Sequence, residues 1–147
     1  MTLPDNADVV DLLVHQHHEV KRALAEVGAL EGDSKAAAFA RLQRLLTAHE
    51  SAEQQVVHPA TRDLAHNADV ARARVEEEMS TDDALAELHA LGAAHPDFDA
   101  RFALLRDAVL AHNEREENEE FLLLRNTQSR ERLVELADSL REVQSMR

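Results

Sequence analysis

Two histidine–glutamate pairs with the same spacing stand out in this chain. His49 and Glu53 are four residues apart, and so are His112 and Glu116. On an α-helix this spacing places both side chains of a pair on one face, one turn apart. The rest of each face is apolar, so that an imidazole and a carboxylate would be buried and would need partners. Side chains of these two types are ligands for a metal ion.

The elements that must position these pairs are helices. Ala, Leu, Glu and Arg dominate the 147 residues, and there are only 3 Gly and 3 Pro. We expect one domain over residues 1–147, built as an all-α, up-down antiparallel four-helix bundle over about 8–126. A short fifth helix over about 129–145 should pack on the outside. Pro59 is expected to end or kink the second helix, and a break in the third helix near Ser80 could occur.

The distances from the turns place the candidates at one level of the bundle. His17, on the apolar stripe of the first helix, precedes the turn at Gly32 by 15 residues, and His49 follows that turn by 17. His112 follows the turn at Pro96 by 16 residues. At about 1.5 Å of rise per residue, these side chains meet at the same height.

The third helix is expected to contribute a carboxylate. Glu78 lies 18 residues before Pro96, at the right height, whereas His89 lies only 7 residues before it. We therefore select Glu78, with Glu77 as its neighbour and substitute, and set His89 aside.

Several buried carboxylates at one height require positive charge. The apolar stripes carry no Lys or Arg near this level, and Arg74 and Arg115 should point to neighbouring faces. A pair of metal ions would balance the charge, with carboxylates bridging and imidazoles terminal. A polar core that shares protons without metal is the alternative. The predicted metal ligands are His17, His49, Glu53, Glu78, His112 and Glu116.

Composition also restricts the partners. A net charge of −13 argues against binding to nucleic acid or to an anionic membrane. No apolar run approaches the roughly 18 residues of a membrane-spanning helix, and the first residues do not resemble a signal peptide. The absence of cysteine rules out thiolate ligands, and the absence of Tyr and Trp rules out radicals on those side chains. A cytoplasmic location is the default expectation.

The motifs resemble the hemerythrin-like (HHE cation-binding) domain family, over roughly residues 8–126. The family pattern is a histidine, a His-x-x-x-Glu pair, a further histidine and a second His-x-x-x-Glu pair across four helices. The resemblance implies two non-haem iron ions bridged by two carboxylates, and reaction with a small diatomic molecule or peroxide. Manganese or zinc could take the place of iron. The residues that match family ligand positions are His17, His49, Glu53, His112 and Glu116.

This chain departs from the family pattern at three places. Glu77-Glu78 stands where the family usually has Glu-His, which would make the site harder and more anionic, or leave it half-built with one metal. His58-Pro59 replaces a common Tyr-Pro, and since His58 falls off the apolar stripe, we expect it to lie outside the site. Phe121-Leu122 replaces Phe-Pro, a change expected to affect helix shape.

Other titratable residues are weaker candidates. Glu50 follows His49 but lies about 100° off the stripe, and His15 and His18 should be surface residues or neighbours of a ligand. His66 and His95 look like turn residues. An acidic run is expected to be a solvated helix end, from which Glu117 could hydrogen-bond a ligand; it comprises Glu114, Glu117, Glu119 and Glu120.

The resemblance leaves the activity open among O2 binding, NO or redox sensing, and peroxide removal. Oxygen-carrying relatives use five terminal histidines, and this chain offers fewer. We therefore rank redox or peroxide chemistry, or sensing, above O2 transport. The competing hypothesis is a non-enzymatic metal-binding or interaction protein whose site is mononuclear, holds Zn or Mn, or is empty.

Overall fold

The computed structural model describes residues 3–4, 6–64 and 68–145, and it places five helices and no strand in them. Two of the helices each contain one π-helical turn. Helix α1 is Val9–Ala29; α2 runs through Gly32–Ala52, the π-helical turn Glu53–Val57 and His58–Arg62; α3 is Ala68–Leu91; α4 runs through Phe98–Arg115, the π-helical turn Glu116–Glu120 and Phe121–Thr127; and α5 is Arg130–Ser145.

The first four helices form an up-down antiparallel bundle. Helix α1 packs on α2 and α4, and α3 packs on α4 and on the last turns of α2. Asp8 caps α1 through its side chain, which accepts a hydrogen bond from the backbone N–H of Asp11. Gly92, with φ of 90°, follows the end of α3 in the left-handed conformation that glycine favours. The predicted all-α four-helix bundle with a C-terminal helix is confirmed.

Two apolar clusters lie on either side of a polar layer. One contains Leu24, Leu42 and Phe98 from three helices. The other contains Leu13, Phe121 and, from α5, Leu136 and other buried residues. Helix α5 therefore completes the second cluster, a closer involvement than the outer packing expected from the sequence.

Helices α2 and α3 differ from the expectations about breaks. Pro59 does not end α2, because it lies at the start of the α-helical segment His58–Arg62, directly after the π-helical turn Glu53–Val57. Its ring and missing N–H are tolerated in the first turn of such a segment. Helix α3 continues through Ser80 without a break. Among the described helices, none is long and apolar enough to cross a membrane.

Candidate metal centre

All six predicted ligands meet in the polar layer between the two apolar clusters. They form two groups, and within each group the possible ligand atoms lie within 4.8 Å of one another. We call the first group, His17, His49, Glu53 and Glu116, the first position. The second position comprises Glu53, Glu78, His112 and Glu116. The two positions share Glu53 and Glu116, which is the arrangement needed for two ions bridged by two carboxylates.

The polar atoms at these positions are buried and lack ordinary partners. Each of the six residues is at most 4% exposed. With each imidazole proton on Nδ1 and the carboxyls ionised, seven of their atoms form no hydrogen bond within the described part of the chain: Nε2 of His17, His49 and His112, and both carboxylate oxygens of Glu53 and of Glu116. Buried polar atoms are rarely left without partners. Imidazole nitrogens and carboxylate oxygens aimed at a common point fit a metal cation.

The orientation of the imidazoles supports the same interpretation. The Nδ1 atom of His17 lies 2.9 Å from Glu117 Oε2, and Nδ1 of His112 lies 2.8 Å from Glu77 Oε1. Because a carboxylate can only accept, each Nδ1–H donates and Nε2 keeps its lone pair for a metal. The expected hydrogen bond between Glu117 and a candidate ligand is present, with Glu117 accepting from His17.

His49 differs from the other imidazoles because its partner is a neutral amide. Nδ1 of His49 lies 2.7 Å from Gln16 Oε1. The amide of Gln16 is itself held by Gln144 on α5, through two hydrogen bonds of 2.9 Å. The C-terminal helix is therefore connected to the centre through a continuous chain of three side chains.

Glu77 shares its charge between His112 and two arginines. Its carboxylate lies 2.8 Å from Arg74 Nε and 2.5 Å from an Nη atom of Arg115. The two arginines thus neutralise the carboxylate that orients His112, and they do not contact the central carboxylates. This agrees with the expectation that they point to neighbouring faces.

His58 is placed differently from the sequence prediction. In an uninterrupted α-helix, five residues after Glu53 would turn the side chain about 140° away from that of Glu53. The π-helical turn closes with a hydrogen bond from His58 N–H to Glu53 O, and each residue advances by a smaller angle. His58 therefore returns to the inner face, where Nε2 lies 2.8 Å from Glu78 Oε2.

Glu120 is the second residue that the sequence interpretation misplaced. The acidic run was expected to be solvated, but Glu120 is fully buried, and Oε2 accepts hydrogen bonds from His58 Nδ1 at 2.9 Å and Thr61 Oγ1 at 2.6 Å. The π-helical turn Glu116–Glu120 lies at this part of α4 and ends before Phe121, whose ring stacks on His17 at 5.5 Å between centroids. Both π-helical turns begin at the glutamate of a His-x-x-x-Glu pair.

Without a metal, the carboxylates at the centre must be balanced by protons. Burial raises the pKa of Glu53 well above its usual value, and the neighbouring charge of Glu116 adds to this effect. Burial also acts to raise the pKa of Glu116, but hydrogen bonds from Glu53, His112 and His17 outweigh it and hold that pKa well below its usual value. One proton is therefore kept on Glu53 and shared with an ionised Glu116.

The imidazoles divide into two classes. Burial, together with the charge of His17, lowers the pKa of His49 to about 3, so this ring is neutral. Burial opposes protonation of His58 and His112 too, but hydrogen bonds to Glu120 and Glu78 raise the pKa of His58 to about 10, and those to Glu116 and Glu78 raise the pKa of His112 to about 11. A metal at the second position would replace the proton on Nε2 of His112.

The remaining candidates do not belong to either position. Glu50 is buried, and burial together with Asp82 on α3 raises its pKa to about 10. His89 is exposed and lines an open groove with Phe39 and Leu88, away from the centre. His18 and His95 are exposed, His15 is half-buried, and His66 lies outside the described residues.

A surface depression leads to the first position. It has a volume of about 390 Å³, lies between α1 and α4, and is lined by His17, Lys21, Asn113 and Glu117 among others. His17 forms part of its wall although the side chain is only 4% exposed. A molecule in this depression would be separated from the centre by one imidazole ring.

Fold and site together define a helical-bundle domain with a buried cluster suited to cations. Residues 8–124 match the hemerythrin HHE cation binding domain, and the chain therefore belongs to this family.

The chain is also similar to a DNA nickase of Nostoc sp. (strain PCC 7120), with 25% identity over 139 residues. The match covers 94% of this chain but only 39% of the Nostoc protein. No solved structure matches the chain.

Proposed function

We propose that this chain is a non-haem di-iron protein that reacts with O2, NO or peroxide, and that redox or peroxide chemistry, or sensing, is more in keeping with it than O2 transport. The observation that supports this most strongly is the sharing of Glu53 and Glu116 between two buried ligand groups. A mononuclear site would need only one of these groups.

Each residue has a defined task in this proposal. Glu53 and Glu116 would be shared by the two ions, His17 and His49 would hold the ion at the first position, and Glu78 and His112 would hold the ion at the second. When bound, two iron ions would supply electrons and an open coordination position for a small ligand. The protein orients the imidazoles through Glu117, Gln16 and Glu77.

The donor set suits iron. Imidazole and carboxylate ligands without thiolate are typical of non-haem iron, and Mn can occupy similar sites. The second position has three carboxylates and one imidazole from the six predicted residues, and the first position has two of each. The larger share of carboxylate at the second position should stabilise a more oxidised iron ion there.

Burial restricts what can react. The central residues are at most 4% exposed, and the nearby depression between α1 and α4 is small. Small motions of the side chains around His17 would let a diatomic molecule or peroxide reach the centre. A large organic substrate could not reach it.

The proposal is tested by loading the purified chain with Fe(II) without oxygen and then adding O2, NO or hydrogen peroxide in separate samples. We expect a near-ultraviolet absorption band typical of bridged ferric ions after O2 or peroxide. Peroxide should be consumed over repeated additions if the protein is an enzyme, and only once if it is a carrier or sensor. Absence of any band in iron-loaded protein would contradict the proposal and favour a Zn or Mn protein without this chemistry.

Action on DNA, which the name of the Nostoc protein states, is not part of the proposal. Binding to nucleic acid requires clusters of Lys and Arg, and this chain has a net charge of −13. The matched region is also less than half of the Nostoc protein.

A further inference from the structure

His58 is held at the edge of the second position by contacts on both ring nitrogens. Its side chain is 2% exposed. Nδ1 lies 2.9 Å from Glu120 Oε2, while Nε2 lies 2.8 Å from Glu78 Oε2 and 3.9 Å from Glu116 Oε2. Nε2 is therefore directed at two carboxylates of the second position.

The support behind the ring is of the kind that orients a metal-binding imidazole. Glu120 is fully buried and also accepts a hydrogen bond from Thr61 Oγ1, so its carboxylate is fixed. Because Glu120 accepts the Nδ1–H of His58, the lone pair of Nε2 is left free to bind a metal ion. His17 and His112 have the same arrangement with Glu117 and Glu77.

We propose that His58 is a further ligand of the second position and binds its metal ion through Nε2. This inference rests on the proposed function, since it presumes that both positions hold a metal. The π-helical turn Glu53–Val57 brings His58 to the inner face. Helix α2 then supplies an imidazole to the second position, and α3 supplies the carboxylate of Glu78. The two positions thereby acquire unequal numbers of ligands.

This inequality favours the first position for an external ligand. His58 forms a further group of possible ligands with Glu116 and Glu120, and its Nε2 atom lies 2.8 Å from Glu78 Oε2. If it binds the ion at the second position, five protein residues would hold that ion and four would hold the ion at the first. Non-haem iron commonly accepts about six donor atoms. The first position therefore keeps about two free coordination places and the second about one. The first position also lies beside His17 and the depression between α1 and α4.

The competing explanation is that His58 only hydrogen-bonds Glu78. In that case Nε2 carries a proton and donates it to Glu78 Oε2, and the ring never contacts the metal. The two explanations differ in the number of imidazoles bonded to metal: four if His58 is a ligand and three if it is not.

Proton NMR of the Co(II)-loaded chain counts these imidazoles directly. Each ring bound through Nε2 keeps an exchangeable Nδ1–H, whose signal is shifted far outside the normal range and disappears in D2O. We expect four such signals in the natural chain and three in His58→Gln. The matched control His89→Gln makes the same change at an exposed histidine and should retain all four.

A second variant and a stoichiometry measurement keep the test decisive. Glu120→Gln should retain four signals but move one, because the partner of His58 Nδ1 becomes neutral. His58→Gln should also weaken Co(II) binding at one of two positions by at least about tenfold. Three signals in the natural chain, with two Co(II) ions bound, would overturn the role of His58 and leave the dinuclear proposal intact. Failure to bind two ions would instead contradict the proposed function.

Discussion

The carboxylates of Glu53 and Glu116, one from α2 and one from α4, face each other at the centre of the bundle and belong to both ligand groups. Each is fully buried. Each is also the first residue of a π-helical turn. This relationship makes the two glutamates different in kind from Glu78, which belongs to the second position alone.

We therefore predict different metal losses for these glutamates. Glu116→Gln should greatly weaken binding of both ions, because a shared ligand is removed, whereas Glu78→Ala should weaken only the second. Metal content is measured by plasma mass spectrometry after gel filtration. It should fall from two ions per chain towards zero in Glu116→Gln and towards one in Glu78→Ala. His89→Ala is the control and should leave metal content unchanged. A loss of metal in His89→Ala but not in Glu78→Ala would contradict the assignment of α3.

Metal binding should depend steeply on pH. The raised pKa values of His58, about 10, and His112, about 11, mean that both rings are protonated at neutral pH in the metal-free chain. Binding must release these two protons and the one kept on Glu53, so the apparent affinity for the pair of ions should rise by about 1000-fold per pH unit between pH 6 and 8.5. Calorimetry in two buffers of different ionisation enthalpy counts the protons. Affinity that is independent of pH would mean that the rings do not lose protons to the metal.

Much of this centre follows from α-helical periodicity in the sequence. The spacing of His49 and Glu53, and of His112 and Glu116, places both pairs on inner faces, and counting from the turns correctly brings Glu78 rather than His89 to their level. The fold follows from composition and from the positions of the turns.

His58 and Glu120 could not be placed in the same way. Their positions depend on π-helical turns, which shift the faces of a helix by a fraction of a turn, and no residue in EQQVV or EENEE requires such a turn locally. The π-helical turns occur together with the buried contacts of His58 with Glu120 and Glu78. These three residues come from three different helices, so the contacts cannot be read from one helical segment. The sequence signal for His58 is a histidine five residues after the candidate ligand Glu53.

The hydrogen bonds from His49 through Gln16 to Gln144 on α5 give a prediction for the first position. Gln16 accepts the Nδ1–H of His49, so Gln16→Ala should lower metal affinity at the first position by about 10- to 100-fold. Gln144→Ala should have a smaller effect in the same direction, because Gln144 acts only through Gln16. Competition with a chelator of known affinity measures both. Equal effects of the two changes would show that the loss comes from general loosening of α5.

Glu50 should destabilise the folded chain as pH rises. Burial, with the hydrogen bond and charge of Asp82 and the charge of Glu78, raises its pKa to about 10. Since the folded-state pKa exceeds the unfolded value, stability is lost progressively from about pH 4.5 towards pH 10. Glu50→Gln should therefore raise stability by about 1 to 3 kcal/mol at pH 8, and by little at pH 4.5.

Thermal unfolding of metal-free protein at the two pH values measures this difference. Glu76→Gln, at an exposed position of α3, is the matched control and should change the Tm by little at either pH. A Glu50→Gln gain that is the same at both pH values would show that ionisation of Glu50 is not its cause.

The central claim is that two metal ions share Glu53 and Glu116, and the iron content of the purified chain tests it most directly. The chain is loaded with Fe(II) without oxygen, freed of unbound iron by gel filtration, and measured for iron and protein together. Two iron ions per chain are expected in the natural sequence. Zero or one iron ion per chain, in protein whose circular dichroism shows an intact helical fold, would contradict the dinuclear centre.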